Sequence, residues 1–494
     1  MNFRLLILLF CFCEASYALA QPIEAPSEIN KEKPQSSAPA TLQNNLPVEF
    51  QNRLKLAQAG DVAAMIDIGL AYAEGTDFLS VDDKQAYTWF KKASDLNNTD
   101  GDYYLGVLAQ HQDNYEEAAR WYRKGAESGD AYCQYALGYL YENGLGVEQN
   151  YKQAKAWYVE SAEQGQASGQ FALGMFYHDG IGGDVDYQKA RMWYEKSAEL
   201  GVAASLNNLA VMYEKGQGVR EDGQKAADLY HQAANMGSST AQANMGKFYH
   251  NGTEFLEQND YQSIYWYKRA ALQENEEAQY ALAQGYETGK GIGQDVNMAF
   301  EWYQKAGSNG SAAAGMKVAE YYEKGIGDIP PNQQKAIDWY LSMAEANVRE
   351  AQVRLAQLYI AGKLDNIDNN TLINWLTTAE KDNVQSKSQL GMFYLLGKGV
   401  KKDEQKARQL FLQSAFQNES DAQNNLAVMY ARGMGGDKSI FRAVMWLERS
   451  DKLGNKIAAN NLKLLQENKN TSPEMLQFTQ NVQTTKEPVK TSKN

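Results

Sequence analysis

The nine tryptophans of this 494-residue chain all fall on one beat: Trp89, Trp121, Trp157, Trp193, Trp266, Trp302, Trp339, Trp375 and Trp446. Two of the intervals are double steps, and Leu229 and Leu410 stand inside them. Eleven large apolar residues therefore follow one another at 32–37 positions. A fixed period of this length marks an array of similar units, each too small to bury its own apolar face and each stacked on its neighbours. The length points the same way, since 494 residues exceed what one hydrophobic core accommodates.

A second series runs 15–20 residues ahead of the first: Gly69, Gly106, Gly138, Gly174, Ala210, Gly246, Ala283, Ala319, Ala356, Gly391 and Ala427. Glycine inside a helix costs about 1 kcal/mol relative to alanine, so its recurrence marks a place where a neighbouring helix comes too close for a larger side chain. Tyrosine follows three residues later in ten units, with Ala109 the exception, and shares a helical face with the small residue. Six residues after the small position stands a glycine, from Gly75 to Gly433 in ten units, often continued as Gly-x-Gly. It is expected to end the first helix in a left-handed conformation. The tryptophan then lies on a second helix, with small residues three before it (Ala86, Ala154, Ala190, Ala336) and four or five after it (Ala93, Ala162, Ala270). Eight residues past each tryptophan-series position come Asn97, Gly129, Gly165, Gly201, Gly237, Glu274, Gly310, Asn347, Asn383, Asn418 and Gly454. Glycine and asparagine best tolerate the left-handed region, so this position should close the second helix. Each unit reads as a helical hairpin, and the whole as an all-α solenoid. Unit two, Asn98 to Gly129, is four or five residues short around its turn, which predicts a tight connection.

The ends differ from the array. Residues 1–20 have the parts of a secretory signal: Arg4, an apolar run from Leu5 to Phe12, and Ala18-Leu19-Ala20 as a cleavage site. The product is expected to be exported, to the periplasm or beyond. Residues 21–45, with Pro22, Pro26, Pro34 and Pro39, read as a disordered leader. Residues 46–59 read as an N-terminal capping helix, 60–454 as the eleven repeats and 455–465 as a C-terminal capping helix. Residues 466–494 read as a mostly disordered tail with a short helix at 473–480.

Composition excludes several functions. Cys11 and Cys13 lie inside the signal, so Cys133 remains alone and is expected to be a buried small residue. The net charge of −13, unchanged by removal of residues 1–20, repels nucleic acid and anionic lipid. No later apolar stretch reaches the roughly 20 residues needed to span a bilayer, so no membrane insertion is expected. His111, His178, His231 and His250 are scattered, without a His-Glu-x-x-His run, and His178 and His250 read as members of a solvated face. The segments 285–291 and 397–399 lack the spacing of a phosphate loop. The reading is a monomeric binding scaffold, not an enzyme, with no catalytic residue, metal or cofactor.

The units also spell a known pattern, most plainly Gly129-Asp130-Ala131-Tyr132-Cys133-Gln134-Tyr135-Ala136-Leu137-Gly138-Tyr139-Leu140-Tyr141-Glu142-Asn143-Gly144-Leu145-Gly146-Val147, continued by Ala154-Lys155-Ala156-Trp157-Tyr158 and Ala162-Glu163-Gln164-Gly165. This resembles the Sel1-like repeat, a relative of the tetratricopeptide repeats, over about 400 residues from Gly60 to Gly454. The resemblance implies a right-handed α-α superhelix of about eleven helix-turn-helix units whose concave groove holds a protein or peptide partner, in the cell envelope or at a host interface. Two alternatives come with it: a structural part of exopolysaccharide secretion machinery, or a cell-wall-active enzyme. Cysteine-rich exported relatives brace each hairpin with a disulfide; the paired cysteines are missing here, so their penicillin-binding behaviour is not carried over.

A binding surface belongs where the units disagree. On the first helix, the residues three before, one after and four after the small position share one face and vary widely. Tyr103, Tyr135, Tyr139, Phe171, Met175 and Tyr280 are the candidate partner anchors, since tyrosine and methionine supply large adaptable contact area. The alternative for the same residues is packing between adjacent first helices.

Overall fold

A computed structural model describes residues 46–254, 256–364, 367–379, 383–467 and 472–479. The expected signal, leader and far tail lie outside these residues. Among the described residues there are 24 α-helices, one 3-10 turn and no strand. They fall into two compact units that meet in sequence at Gln258 and Asn259. In the first, helix Val48–Gln58 leads into five hairpins, from Val62–Glu74 with Asp83–Asp95 to Ala203–Lys215 with Gly223–Asn235, and helix Ser239–Asn251 ends the unit. In the second, helix Asp260–Ala271 precedes five hairpins, from Glu276–Thr288 with Val296–Ser308 to Ser420–Arg432 with Ile440–Lys452, and helix Lys456–Glu467 follows them.

The hairpin Ala131–Asn143 with Tyr151–Glu163 shows why these residues fold so. Asp130 starts the first helix by accepting from the Cys133 amide over 2.7 Å, which satisfies one of the four amides a helix start leaves unpaired. Gly144 ends it at φ 68° and ψ 31°. Asn150 then caps the second helix by accepting from the Gln153 amide over 3.1 Å, while its own amide donates to the Tyr141 carbonyl over 2.8 Å and closes the hairpin. The same closing bond joins Asp186 to Tyr177 and Asp222 to Tyr213, so the recurring tyrosine contributes its carbonyl as well as its ring. The second glycine of Gly-x-Gly has its own reason: a Cβ on Gly146 would stand 2.2 Å from the Tyr115 carbonyl of the preceding hairpin.

Successive hairpins are joined by buried glutamines. Gln134, Gln170, Gln242, Gln279, Gln352 and Gln423 each donate from Nε2 to a carbonyl near the end of the preceding second helix, over 3.0–3.3 Å. Those carbonyls lack partners within their own helix, so one amide both caps a helix and fixes the stacking register. Cys133 is fully buried, with its thiol pushed up by that burial. No helix of the described residues is long and apolar enough to cross a membrane.

Two expectations change and one is met. Ten of the eleven residues expected to close second helices have positive φ, Glu274 among them at 64°, but Asn383 lies at φ −123°. Its side chain accepts from the Ser386 amide over 2.8 Å, so it starts the following helix instead of ending the preceding one. The short unit two does make its turn in three residues, Gln112–Asn114, by placing Asp113 in the left-handed region at φ 57°. Residues 473–479 of the helix expected at 473–480 do not form it: Pro473–Met475 is a single 3-10 turn, and Leu476–Thr479 runs without helix or strand against the last hairpin, with Leu476 and Thr479 buried.

Gly165 has φ 83° and nothing within 4 Å of an added Cβ, so backbone strain alone opposes a side chain there. Gly165→Val should destabilise the array by about 1–2 kcal/mol. Gly165→Asn should cost less, because Asn97, Asn347 and Asn418 hold the corresponding position at φ 60–63°. Melting followed by circular dichroism checks the order.

Candidate peptide-binding face

The residue that seals each hairpin is the neighbour of the tryptophan, one position later. Tyr122, Tyr158, Tyr194, Tyr230 and Tyr303 are among the largest fully buried side chains, joined by Phe90 and Phe411. Each of the small residues Gly69, Gly106, Gly138, Gly174 and Gly391 faces such a ring, and an added Cβ would stand 2.3–3.0 Å from it. Trp89, Trp193, Trp266, Trp302 and Trp446 are buried too, and several tryptophans lie under a lysine or arginine on the same helix, as Lys92 over Trp89 at 4.0 Å and Lys305 over Trp302 at 4.2 Å.

A phenol taken into such a place must keep a hydrogen-bond partner. The residue four after the small position supplies it: Glu142 accepts from Tyr158 over 2.6 Å, Glu214 from Tyr230 over 2.8 Å, Glu287 from Tyr303 over 2.7 Å and Glu323 from Tyr340 over 2.9 Å. Part of the variable stripe is thereby committed to the hairpin. Glu287 also pairs with Lys317, and Glu323 with Arg354, each on the next first helix. His178 takes the same position; it is half-buried, 3.1 Å from Gln217 Oε1 and beside the rings of Tyr187 and Tyr194, not on a solvated face. Among the described residues no three His, Cys, Asp or Glu side chains come together to hold a metal ion.

The candidate anchors sit above this layer. Tyr103, Tyr135, Phe171 and Tyr280 each lay a ring on the sealing tyrosine of their own hairpin, Tyr122, Tyr158, Tyr194 and Tyr303, at centroid distances of 5.6–6.0 Å. All four are half-buried, as is Met175, which packs in the cluster of Tyr194 and Met212. Tyr139 is 40 % exposed. The packing alternative thus accounts for part of these rings, with Tyr103 also meeting Tyr104 and Tyr132, and each keeps part of its surface exposed. Five of the six lie on three consecutive first helices of the first unit; Tyr280 belongs to the second unit.

A different chemistry stands on and beside this stripe in the last hairpin and on the helix after it. Asn424 donates to the Gln477 carbonyl over 3.0 Å and to Thr479 Oγ1 over 2.9 Å. Asn425 exchanges two bonds with the main chain of Thr479, at 2.7 and 3.2 Å, and Asn461 exchanges two with that of Gln477, at 2.7 and 2.8 Å. Arg432 donates to the carbonyls of Pro473, Glu474 and Leu476 over 2.6–3.0 Å and lies over the Phe478 ring. First-helix side chains here hold a non-helical segment by its backbone. Sequence reasoning missed these residues because asparagine and arginine on a helix face read as solvated. The repetition of Asn-Asn-Leu-Ala-Val-Met-Tyr at 207–213 and 424–430 was the signal that could have found them.

The model of the Sel1 repeat matches residues 62–98, 101–130, 131–166, 167–202, 203–238, 239–275, 276–311, 312–348, 384–418 and 420–455. The chain belongs to the Sel1-repeat family. The stretch 349–383 is unmatched although helices Arg349–Ile360 and Asn369–Ala379 occupy it; it has Leu376 in place of the sealing aromatic and no second glycine after Gly362. Among solved structures, a protective antigen present in uropathogenic Escherichia coli strains is 30 % identical and covers 87 % of this chain and 94 % of its own, with a TM-score of 0.57. A Sel1 repeat protein from Oxalobacter formigenes is 29 % identical and covers 49 % of this chain and 98 % of its own, with a TM-score of 0.46. An F-box protein of Arabidopsis thaliana is 31 % identical over 102 residues, which are 20 % of this chain and 28 % of that protein. The Sel1-repeat chain thus spans less than a third of that curated relative. Sel1-repeat proteins are generally protein-interaction scaffolds.

The sealing tyrosines make the family fold sensitive to alkali. Burial, and secondly the facing glutamate, push the hydroxyls of Tyr158 and Tyr230 above the usual 10; burial does so for Tyr194. A group whose folded value is raised contributes stability that is full below its unfolded value and lost as pH rises past it. Helicity should therefore hold up to about pH 10 and fall above it. Absorbance at 295 nm should show the buried tyrosines ionising together with that loss, and ionisation complete before any loss of helicity would contradict the assignment.

Proposed function

We propose that this Sel1-repeat protein is an exported interaction scaffold that holds a protein or peptide segment along the exposed face of its first helices. The observation that carries the reading is the chain's own segment 472–479, held against first-helix side chains through its main-chain groups. An extended segment presents unpaired amides and carbonyls, and a face able to pair them binds it with little dependence on sequence. Stacked hairpins hold such a face in place beforehand, which lowers the ordering cost of binding. Tyr103, Tyr135, Tyr139, Phe171 and Met175 extend the face across the first unit, where half-covered rings offer contact area at small entropic cost; Tyr280 would serve the second unit. The signal-like residues 1–20 support action in the periplasm or outside the cell.

The test is simultaneous truncation of Tyr135, Tyr139, Phe171 and Met175 to alanine, with partner capture measured from envelope or host extracts. Capture should fall by about tenfold or more while the circular dichroism spectrum keeps its helical form. Unchanged capture with intact helicity would remove these residues from the binding surface.

A further inference from the structure

The asparagine clamp of the last hairpin has a counterpart in the first unit. Asn207 and Asn208 stand 217 positions before Asn424 and Asn425, and the same 217 positions separate Asn244 from Asn461 and Met175 from Met392. Part of the side-chain geometry recurs with the sequence, although Asn208 also shares a hydrogen bond with the sealing Tyr194, where the second unit has Phe411. Asn461 Nδ2 donates to Asn424 Oδ1 over 2.8 Å, and Asn244 Nδ2 donates to Asn207 Oδ1 over 2.9 Å. Asn424 Nδ2 lies 3.5 Å from Asn425 Oδ1, and Asn207 Nδ2 lies 3.4 Å from Asn208 Oδ1. Lys215, exposed, stands where the second unit has Arg432, so a cation that can reach carbonyl oxygens is present at both places.

The two clamps differ in cover. Asn424, Asn425 and Asn461 are 0 %, 1 % and 1 % exposed beneath the segment they hold. Asn207 is 7 % exposed, and Asn208 and Asn244 are only half-buried. An asparagine amide offers two donors and an acceptor, and in the second unit the sets on Asn425 and Asn461 are matched to main-chain groups of Thr479 and Gln477. In the held segment Leu476 is buried, Gln477 exposed, Phe478 half-buried and Thr479 buried, so two apolar side chains two positions apart face the array.

We infer that Asn207, Asn208 and Asn244 form a second clamp, which takes an extended segment of a partner protein carrying large apolar residues two positions apart. The partner is a different molecule because the chain's own segment of this pattern is already engaged on Asn424, Asn425 and Asn461. This site deepens the scaffold reading and rests on it.

The probe is a fluorescein-labelled, amide-capped peptide of residues Ser472–Thr479, titrated by anisotropy against the full chain. The unaltered chain should bind one equivalent. Asn208→Ala should weaken that binding about tenfold or more with an unchanged circular dichroism spectrum. Leu476→Asp, or Phe478→Asp as an independent variant, should release the chain's own segment and raise the stoichiometry to two. N-methylation of the peptide's Gln477 amide, which removes the donor that meets Asn461 Oδ1, should abolish binding at both clamps. If the unaltered chain ignores the peptide while Leu476→Asp binds one equivalent, the second clamp is overturned and the scaffold reading stands. If neither binds, both fall. Binding that Asn208→Ala leaves unchanged, or a dimer of the unaltered chain that the peptide dissociates, would overturn the assignment to a partner's segment.

Discussion

Not even a methyl group fits where Gly138 stands without the hairpin shifting, because the ring of Tyr158 lies 2.8 Å from where its Cβ would be. That approach of a first helix to an aromatic ring on the second is the constraint from which the rest of each hairpin follows. The ring fills the space the missing side chain leaves, and burying an aromatic of this size stabilises by about 2–3 kcal/mol. Burial obliges the phenol to find an acceptor, which places Glu142 four residues on. The acceptor in turn leaves the face beside it to be shared between packing and binding.

The stack adds polar joints to this apolar one. Buried glutamines such as Gln170 and Gln423 add a second donor to carbonyls at helix ends that already accept a turn amide, so each unit helps cap the one before it while setting its register. Because both joints are local to adjacent units, residues outside them are free to vary without loss of fold. The variable first-helix face can then carry rings in one hairpin, as at Tyr135 and Tyr139, and backbone-reading amides in another, as at Asn424 and Asn425. Binding chemistry is changed unit by unit on a frame that does not change.

Such a division of labour explains which parts of the site were legible. Tyr103, Tyr135 and Phe171 stand out in the sequence because they are large and off the beat, yet each spends one side of its ring on a sealing tyrosine. The asparagines were not legible, since a polar residue on a helix face has no signature until something lies across it. The tail was read from composition as disordered apart from a helix at 473–480. It has too few apolar residues to fold by itself, and Leu476 and Thr479 are buried only because the last hairpin supplies the partners.

The sequence by itself determined the hairpins: period, small residues, and the glycines and asparagines that close helices act within a few residues of one another, and local rules suffice to read them. It also determined that Cys133 is the one cysteine outside residues 1–20. The tertiary structure alone decided three things. Tyr158 and its counterparts, not the tryptophans, seal the core, because burial depends on the angle at which two helices meet. Asn383 starts a helix instead of ending one, because its side chain finds the Ser386 amide. Residues 472–479 lie in the grip of Asn424, Asn425, Asn461 and Arg432, because hydrogen bonds between residues some forty to fifty-five positions apart, such as Arg432 to Pro473 and Asn424 to Thr479, leave no periodic trace in the chain.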